Sequence, residues 1–245
     1  MTACRRVTTA GAFAAGLVVL LAGGTAWAQG LTVLPVNIEI SAGQMATTLT
    51  VINHGDSETS VQVRAFGWKQ PDGAEQLTPS DDVMVSPPIA TIAAGATQVV
   101  RLVLRRPVQG NEATYRVLLD QIPPAAAPGT VRVALRLSIP VFAQPAVRAL
   151  PHVQFHVQSA AGQAYLVAFN DGGQHETIRD IALTTNTGSR LKTTAGVSPY
   201  ILAGATSRWR IDTLSGVPAQ GGTLHLTGNA NAGVLDQPVT VVRSP

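Results

Sequence analysis

Charged residues are scarce in this chain: 13% of the 245 residues are Asp, Glu, Lys or Arg, about half the usual share for a soluble domain. This composition excludes a chain kept disordered by its charge and a nucleic-acid binder with a basic tail. The formal net charge of +3 includes Arg5 and Arg6, which lie in a segment that we predict to be removed. Without them 15 basic residues face 14 acidic ones, too small an excess to attract nucleic acid or anionic lipid.

Cysteine is almost absent, since Cys4 is the only one. It lies in a segment with two arginines, an apolar run over Ala10–Ala22 and the sequence Ala26-Trp27-Ala28, the pattern of a secretory signal with its cleavage site. The run is shorter than the roughly 20 residues of a membrane span, and we expect no membrane insertion. We predict that Met1–Ala28 is removed on export. The mature chain then has no disulfide and depends on a large core.

The short motifs of enzymes are also missing. The sequence contains no GxxxxGK[ST], GxSxG or HExxH, so it offers no phosphate loop, no serine nucleophile and no zinc helix. Of the five histidines only His152 and His156 have the spacing of ligands, and in a strand they lie about 13 Å apart, too far to share an ion. Asp81 and Asp82 are typical of a solvated turn. We therefore predict a protein that is not an enzyme and uses no ATP, cofactor or metal.

What the sequence does contain is a series of short runs rich in Val, Ile, Leu and Thr, separated by Gly, Pro, Asn and Asp. These runs are typical of strands. The first group is Asn37–Ile40, Thr47–Ile52, Ser60–Trp68, Gln98–Leu104, Thr114–Ile122 and Val131–Phe142. The second group is Val153–Val157, Ala164–Phe169, Ile178–Thr184, Ser207–Ile211, Thr223–Leu226 and Val239–Val242. The predicted fold is all-β, and the spacing of the strands favours immunoglobulin-like sandwiches.

The segment Ala143–Pro151 separates the two groups. Pro145 and Pro151 stiffen it, because each proline fixes its own φ and restrains the residue before it. We predict a signal peptide over residues 1–28, a first domain over 29–145 and a second over 146–245. Both domains fall within the usual size range.

The first domain resembles the periplasmic pilus chaperones of the chaperone/usher pathway. Eight motifs carry the resemblance through their order and spacing, because none of them is specific alone. They are Pro35-Val36-Asn37-Ile38-Glu39-Ile40, Leu49-Thr50-Val51-Ile52-Asn53, Phe66-Gly67-Trp68, Val85-Ser86-Pro87-Pro88, Ala94-Gly95 with Val100-Arg101-Leu102, Tyr115-Arg116, Ile122-Pro123-Pro124 and Leu137-Ser138-Ile139-Pro140-Val141-Phe142. Weaker matches follow at Phe169-Asn170-Asp171-Gly172 and Tyr200-Ile201-Leu202-Ala203-Gly204. The last first-domain motif and Tyr115-Arg116 are more similar to the archaic branch, which assembles thin pili and spore-coat-U-like subunits.

The resemblance implies a boomerang of two immunoglobulin-like domains. It also implies a function: the protein binds, folds and caps pilus or coat subunits by donor-strand complementation and delivers them to an outer-membrane usher. In that mechanism an extended segment adds a strand to an exposed sheet edge.

The carboxylate anchor of the better-studied branch is altered in this sequence. There, two basic residues bind the subunit's terminal carboxylate, and the corresponding positions here are Asn37 and Pro140. Neither side chain carries a positive charge. The resemblance to the archaic branch favours Arg116 as the anchor instead, with Arg101 as a second candidate that supports the cleft. Each arginine is a lone cation in an apolar strand, so a solvent-facing position is equally compatible with the pattern.

The stretch Val131–Phe142 carries the physical argument for strand donation. Alternation places an apolar row on one face, which consists of Val131, Val133, Leu135, Leu137 and Ile139. An edge strand of this kind aggregates unless a partner covers its apolar row and its unpaired backbone. An ordinary core strand shows the same alternation, and periodicity alone favours that interpretation. The family resemblance reverses the preference and identifies the row as the donor residues.

Two other classes of protein remain as alternatives. An immunoglobulin-like adhesin or structural subunit of a surface fibre would need a missing strand or a long N-terminal donor segment, and the sequence indicates neither. A carbohydrate-binding or hydrolytic sandwich would need clustered aromatic residues or paired carboxylates. Outside the predicted signal, Trp68 and Trp209 are the only tryptophans.

Overall fold

The computed structural model describes residues 30–124, 129, 131–160, 162–194, 198–212 and 217–243. The predicted signal peptide, Met1–Ala28, therefore lies outside the described residues. Across the described ranges, no helix has both the length and the apolar character needed to cross a membrane.

The first ten strands form a sandwich of two sheets. They are β1 (Leu31–Leu34), β2 (Ile38–Ile40), β3 (Ala46–Asn53), β4 (Thr59–Lys69), β5 (Gln76–Pro79), β6 (Val83–Ser86), β7 (Ile89–Ile92), β8 (Thr97–Leu104), β9 (Ala113–Ile122) and β10 (Arg136–Ala143). One sheet has the order β1-β3-β8-β6, and the other has the order β2-β10-β9-β4-β5 with β7 beside β4. Alternate residues such as Val61 and Val63 of β4 or Val117 and Leu119 of β9 point between the sheets and form the core.

The remaining strands form a second β unit with its own core. They are β11 (Val153–Ala160), β12 (Gln163–Asn170), β13 (Glu176–Thr184), β14 (Arg190–Leu191), β15 (Tyr200–Ile201), β16 (Thr206–Ile211), β17 (Thr223–Ala230) and β18 (Gly233–Arg243). The long strand β18 pairs antiparallel with β17 in its first part and parallel with β11 from Val241 onward. It thereby joins the two groups of strands around buried Leu166, Leu183 and Leu224.

The strand predicted over Val131–Phe142 is wrong in its first part. Strand β10 begins at Arg136, which pairs with Asp120 of β9. Because β9 ends at Ile122, Val131 and Val133 have no neighbouring strand among the described residues. The alternating pattern continues past the point where the sheet ends. The short strands β1, β5, β6 and β7 were not predicted from the sequence.

Each domain contains a buried asparagine that fixes a turn at the end of a strand. The Asn53 Nδ2 group donates to the carbonyls of Ser57 and Ile92, at 2.8 and 3.1 Å. In the second domain, Asn170 Nδ2 donates to the carbonyls of Gln174 and Ile201, at 2.8 and 2.9 Å. In both turns the asparagine Oδ1 accepts from the amide of the glycine two residues later. Satisfied buried amides of this kind hold the chain in one geometry.

The first core draws its buried residues from Val33 to Ala143. The second draws them from Val157 to Val241, and it also includes Trp68 and Phe142 of the first domain. The segment 144–152 between β10 and β11 contains no strand. The domain boundaries of 29–145 and 146–245 stay predictions.

Candidate functional site

The outer face of the β10-β9-β4 sheet positions Arg116. Its neighbours Tyr115 and Val117 point into the core, so alternation turns the Arg116 side chain outward. In the sheet register, Arg116 lies opposite Pro140 of β10 and Phe66 of β4. The residue is nevertheless only 8% exposed, because aromatic side chains from both domains cover it.

The guanidinium of Arg116 has an aromatic and acidic environment. Its Cζ lies 3.7 Å from the ring centroid of Trp68 and 5.6 Å from that of Tyr200. Its Nη2 donates to Glu75 Oε1 at 3.2 Å, whereas its buried Nε has no hydrogen-bond partner among the described residues. Burial lowers the pKa of Arg116, and the Glu75 carboxylate partly opposes this. An arginine stays charged under such conditions, so the site presents a fixed cation.

An aromatic cluster joins the two domains behind this cation. The ring of Phe142 stacks on that of His175 with centroids 3.5 Å apart, and Trp68 meets Tyr200 edge to face at 5.6 Å. Two of these residues come from each domain. Their packing places the second domain directly over the end of β4, β9 and β10.

Buried polar contacts fix the same interface. Glu112 Oε2 accepts from His175 Nδ1 at 2.7 Å and from the His175 amide at 3.0 Å. Gln70 donates to the Tyr200 carbonyl and accepts from the Leu202 amide. Charged and amide groups removed from water need such partners, and here the partners lie in the other domain. The two domains are therefore held in one arrangement at this end of β9.

A cleft of about 660 Å³ opens between the domains beside the aromatic cluster. Both domains line it, with Gln70, Thr114 and Glu112 on one side and Leu202 and Ala205 on the other. Arg116 is not among the lining residues. It lies at the domain interface, where its guanidinium stacks on Trp68, a residue that lines the cleft.

Strand β10 has a free edge over most of its length. Only Val141–Ala143 pair with β2, which runs parallel to it. Within the described part of the chain, Arg136–Pro140 have β9 on one side and no strand on the other. The free edge ends at Pro140, which is directly opposite Arg116.

The structure divides the predicted donor row into two parts. Val131 and Val133 are 93% and 89% exposed, and Leu135 is 39% exposed. Leu137 is half-buried against the first core, and Ile139 is a buried member of it. The three exposed residues are available to a partner, whereas Leu137 and Ile139 already pack within the protein's own sandwich.

Arg101 is not brought together with Arg116. It lies in β8 of the opposite sheet, between Thr48 of β3 and Ser86 of β6. Its side chain is exposed, because the flanking Val100 and Leu102 take the core-facing positions. The anchor or cleft-support role of Arg101 stays a prediction that its surroundings do not support.

Three residues of the site were not predicted as functional from the sequence: Glu75, Trp68 and Tyr200. Trp68 and Tyr200 belong to motifs of the family resemblance, which gave a signal for their importance but not for their contact with Arg116. Glu75 lies in a polar turn, and no feature of the sequence around it indicates a functional residue. In the described part of the chain no three His, Cys, Asp or Glu side chains are grouped to hold a metal ion, and the lack of a metal stays a prediction.

Comparison with known proteins gives a consistent result. Residues 30–148 match the family described as pili and flagellar-assembly chaperone, PapD N-terminal domain. A search of curated proteins found no match.

Solved structures match over both domains. A chain of the CsuC-CsuE chaperone-tip adhesion subunit complex, from archaic Csu pili of Acinetobacter baumannii, is 21% identical with a TM-score of 0.64, over 88% of this chain and 100% of that one. The E. coli chaperone DraB is 18% identical with a TM-score of 0.54, over 88% and 97%. A chain of the Salmonella enterica SafA pilin and SafB chaperone complex is 16% identical with a TM-score of 0.55, over 88% and 97%. These similarities confirm the predicted all-β fold of two immunoglobulin-like sandwiches.

Proposed function

Since the chain belongs to the family of pili and flagellar-assembly chaperones, we propose that it binds pilus subunits at the free edge of β10 and anchors their terminal carboxylate at Arg116. It acts in the periplasm, caps the subunit until transfer, and delivers it to an outer-membrane usher. The proposal assigns it no catalytic step.

The observation that carries this function is the free edge of β10 together with the apolar side chains that lead into it. An unpaired strand edge offers backbone donors and acceptors to an incoming strand. Val131, Val133 and Leu135 add exposed apolar side chains on the same segment. A subunit that lacks one strand of its own sandwich has the complementary groove.

The burial of these side chains accounts for binding without ATP. Each aliphatic side chain that becomes fully buried in a subunit groove contributes about 1.5 to 3 kcal/mol, before the cost of ordering the segment is subtracted. Residues 131–135 form no strand in the free protein, so they acquire their strand pairing on binding. Leu137 and Ile139, which face the core, continue to stabilise the chaperone itself.

Arg116 supports a defined register for this pairing. It lies opposite Pro140, where the free edge of β10 ends and the pairing with β2 begins. A carboxylate bound there fixes how far the subunit's last strand reaches along the edge. The guanidinium suits this role because it can bind a carboxylate through two parallel hydrogen bonds.

The adhesin or fibre-subunit alternative is not favoured. Both sandwiches have a continuous core in the described residues, so neither has the open groove that a donor strand would fill. The exported location rests on the family and on the predicted signal at Met1–Ala28, which lies outside the described residues.

Co-purification of a co-expressed pilus subunit with two charge variants tests the proposal. Val133→Asp puts a carboxylate on the predicted donor face, and Arg132→Asp puts the same group on the neighbouring position. Both residues are exposed in the free protein, so we expect both variants to fold with unchanged melting curves.

Val133→Asp should abolish subunit recovery, because a charge cannot enter an apolar groove unpaired. Arg132→Asp should retain most of it. Equal recovery with the two variants would contradict the donor assignment. Arg136→Asp is a poorer control than Arg132→Asp, because Arg136 forms an ion pair with Asp120.

A further inference from the structure

We infer that Glu75 binds Arg116 in the free chaperone, in the place that the subunit's terminal carboxylate takes in the complex. The subunit must then displace Glu75 from Arg116 in order to bind. This inference rests on the proposed anchor at Arg116 and adds the residue that competes for it. It makes Glu75 a determinant of which strand ends the site accepts.

The position of Glu75 allows such an exchange. The residue lies between the short 3-10 turn Pro71–Gly73 and strand β5, whose residues are all exposed. Its side chain is 35% exposed, compared with 10% for that of Arg116. The cation is thus held in place while its acidic partner faces solvent.

The turn that precedes Glu75 is held against the second domain. A Cβ at Gly73 would lie 2.9 Å from the carbonyl oxygen of Thr206, so the turn packs closely on β16. The Glu75 side chain can therefore leave Arg116 by rotation of its own torsions without a movement of the turn. Exposed side chains change rotamer far faster than proteins associate, so this exchange does not limit the rate of binding.

The existing ion pair is also incomplete. One oxygen of Glu75 contacts one nitrogen of Arg116 at 3.2 Å, longer than the roughly 2.7 to 2.9 Å of a strong charge-assisted bond. The adjacent Nε is buried and has no partner among the described residues. A carboxylate that reaches both Nε and Nη2 would form two bonds where Glu75 forms one. The geometry therefore favours replacement of Glu75 by a better-placed carboxylate.

A built-in competitor changes what the site recognises. A strand that ends in a free carboxylate replaces the lost ion pair with a stronger one. A strand that continues past this point, or that ends in an amide, would leave Arg116 with Glu75 and gain nothing from the site. Glu75 thus lowers the affinity for strands that end in a carboxylate, and the site retains only a terminus that binds Arg116 better than Glu75 does.

Titration with a minimal chain terminus tests the inference. The probe is N-acetylglycine, with N-acetylglycinamide as the uncharged analogue, and the readout is the NMR signal of the Arg116 Nε–H group. The proteins are the wild type, Glu75→Gln and Glu58→Gln. Glu58→Gln makes the same change at an exposed site in the first domain.

Glu75→Gln should bind N-acetylglycine about threefold to tenfold more tightly than the wild type, because the partly exposed Glu75 carboxylate no longer competes for Arg116. Glu58→Gln should match the wild type, and the amide should bind to none of them. Unchanged or weaker binding by Glu75→Gln would overturn the inference, since Glu75 would then orient Arg116 without competing for it. Failure of N-acetylglycine to perturb the signal in any of the three proteins would instead overturn the proposed anchor.

Discussion

The side chain of Gln70 is bound to the backbone of Leu202, a residue 132 positions later in the chain: its Oε1 accepts from the Leu202 amide at 3.0 Å. Its Nε2 donates to the carbonyl of Tyr200 at 2.9 Å. One amide thereby fixes the segment that presents Tyr200 to Trp68 and Arg116. The orientation of the two domains and the geometry of the proposed anchor depend on the same contacts.

Gln70→Glu should destabilise the domain interface. The substitution keeps an acceptor for the Leu202 amide but replaces the donor that faces the Tyr200 carbonyl by an oxygen. The loss of this buried hydrogen bond should lower the free energy of unfolding by about 1 to 3 kcal/mol, measured by denaturant titration. Gln76→Glu, at an exposed position of β5, makes the same change and should have no effect. Equal stability of the two variants would show that Gln70 does not fix the interface.

Arg116→Ala should weaken subunit binding by at least about tenfold, which corresponds to 1.4 kcal/mol. Arg116→Lys should restore it only in part, because an ammonium group cannot reproduce two parallel bonds or the stacking on Trp68. Subunit co-purification beside a melting curve for each variant measures both effects.

Arg101→Ala is the matched comparison, since Arg101 is an arginine on the opposite sheet. Its exposed position leads us to expect normal subunit binding, in contrast to the cleft-support role that the sequence suggested. Normal capture by a folded Arg116→Ala variant would remove the anchor from Arg116.

The titration of His156 should respond to Arg208. Burial lowers the pKa of His156, and the charge of Arg208 lowers it further. The two residues flank Val167 on adjacent strands. Arg208→Gln should therefore raise the pKa of His156 part of the way toward its ordinary value, as followed by NMR of the imidazole protons.

The pH dependence of stability has a defined sign at this site. The folded state holds the His156 proton less tightly than the unfolded state does. The contribution of His156 to the stability of the fold is therefore complete above its ordinary pKa of about 6.5, and it is lost as the pH falls through the lowered pKa of the folded state. Arg208→Gln should reduce this loss. An unchanged His156 pKa in Arg208→Gln would contradict the electrostatic coupling.

The fold could be predicted from the sequence because alternation and turn residues act locally. The runs at Thr47–Ile52 and Ser60–Trp68 gave strands within two residues of β3 and β4. The short strands β5 and β7 could not be predicted in this way, since β5 is exposed throughout and β7 buries only Ile92 fully. Their pairing with β4 is determined by tertiary contacts.

The site could be predicted only in part. The residues of the donor row follow one another at every second position, so they look alike in the sequence. Whether each of them is buried depends on whether the opposite sheet covers it. Ile139 is covered and Val133 is not, and alternation does not distinguish these cases. The contacts of Arg116 with Glu75 and Tyr200 join residues far apart in the chain, which local patterns cannot reveal.

Hydrogen exchange of the chaperone, alone and in complex with a pilus subunit, tests the central claim most directly. If the subunit pairs with the free edge of β10, amides in the peptide covering residues 131–140 should become strongly protected in the complex, because they exchange solvent for strand hydrogen bonds. The exposed strand β5 should keep its free-state exchange. Protection elsewhere with unchanged exchange over residues 131–140 would contradict strand donation by this segment.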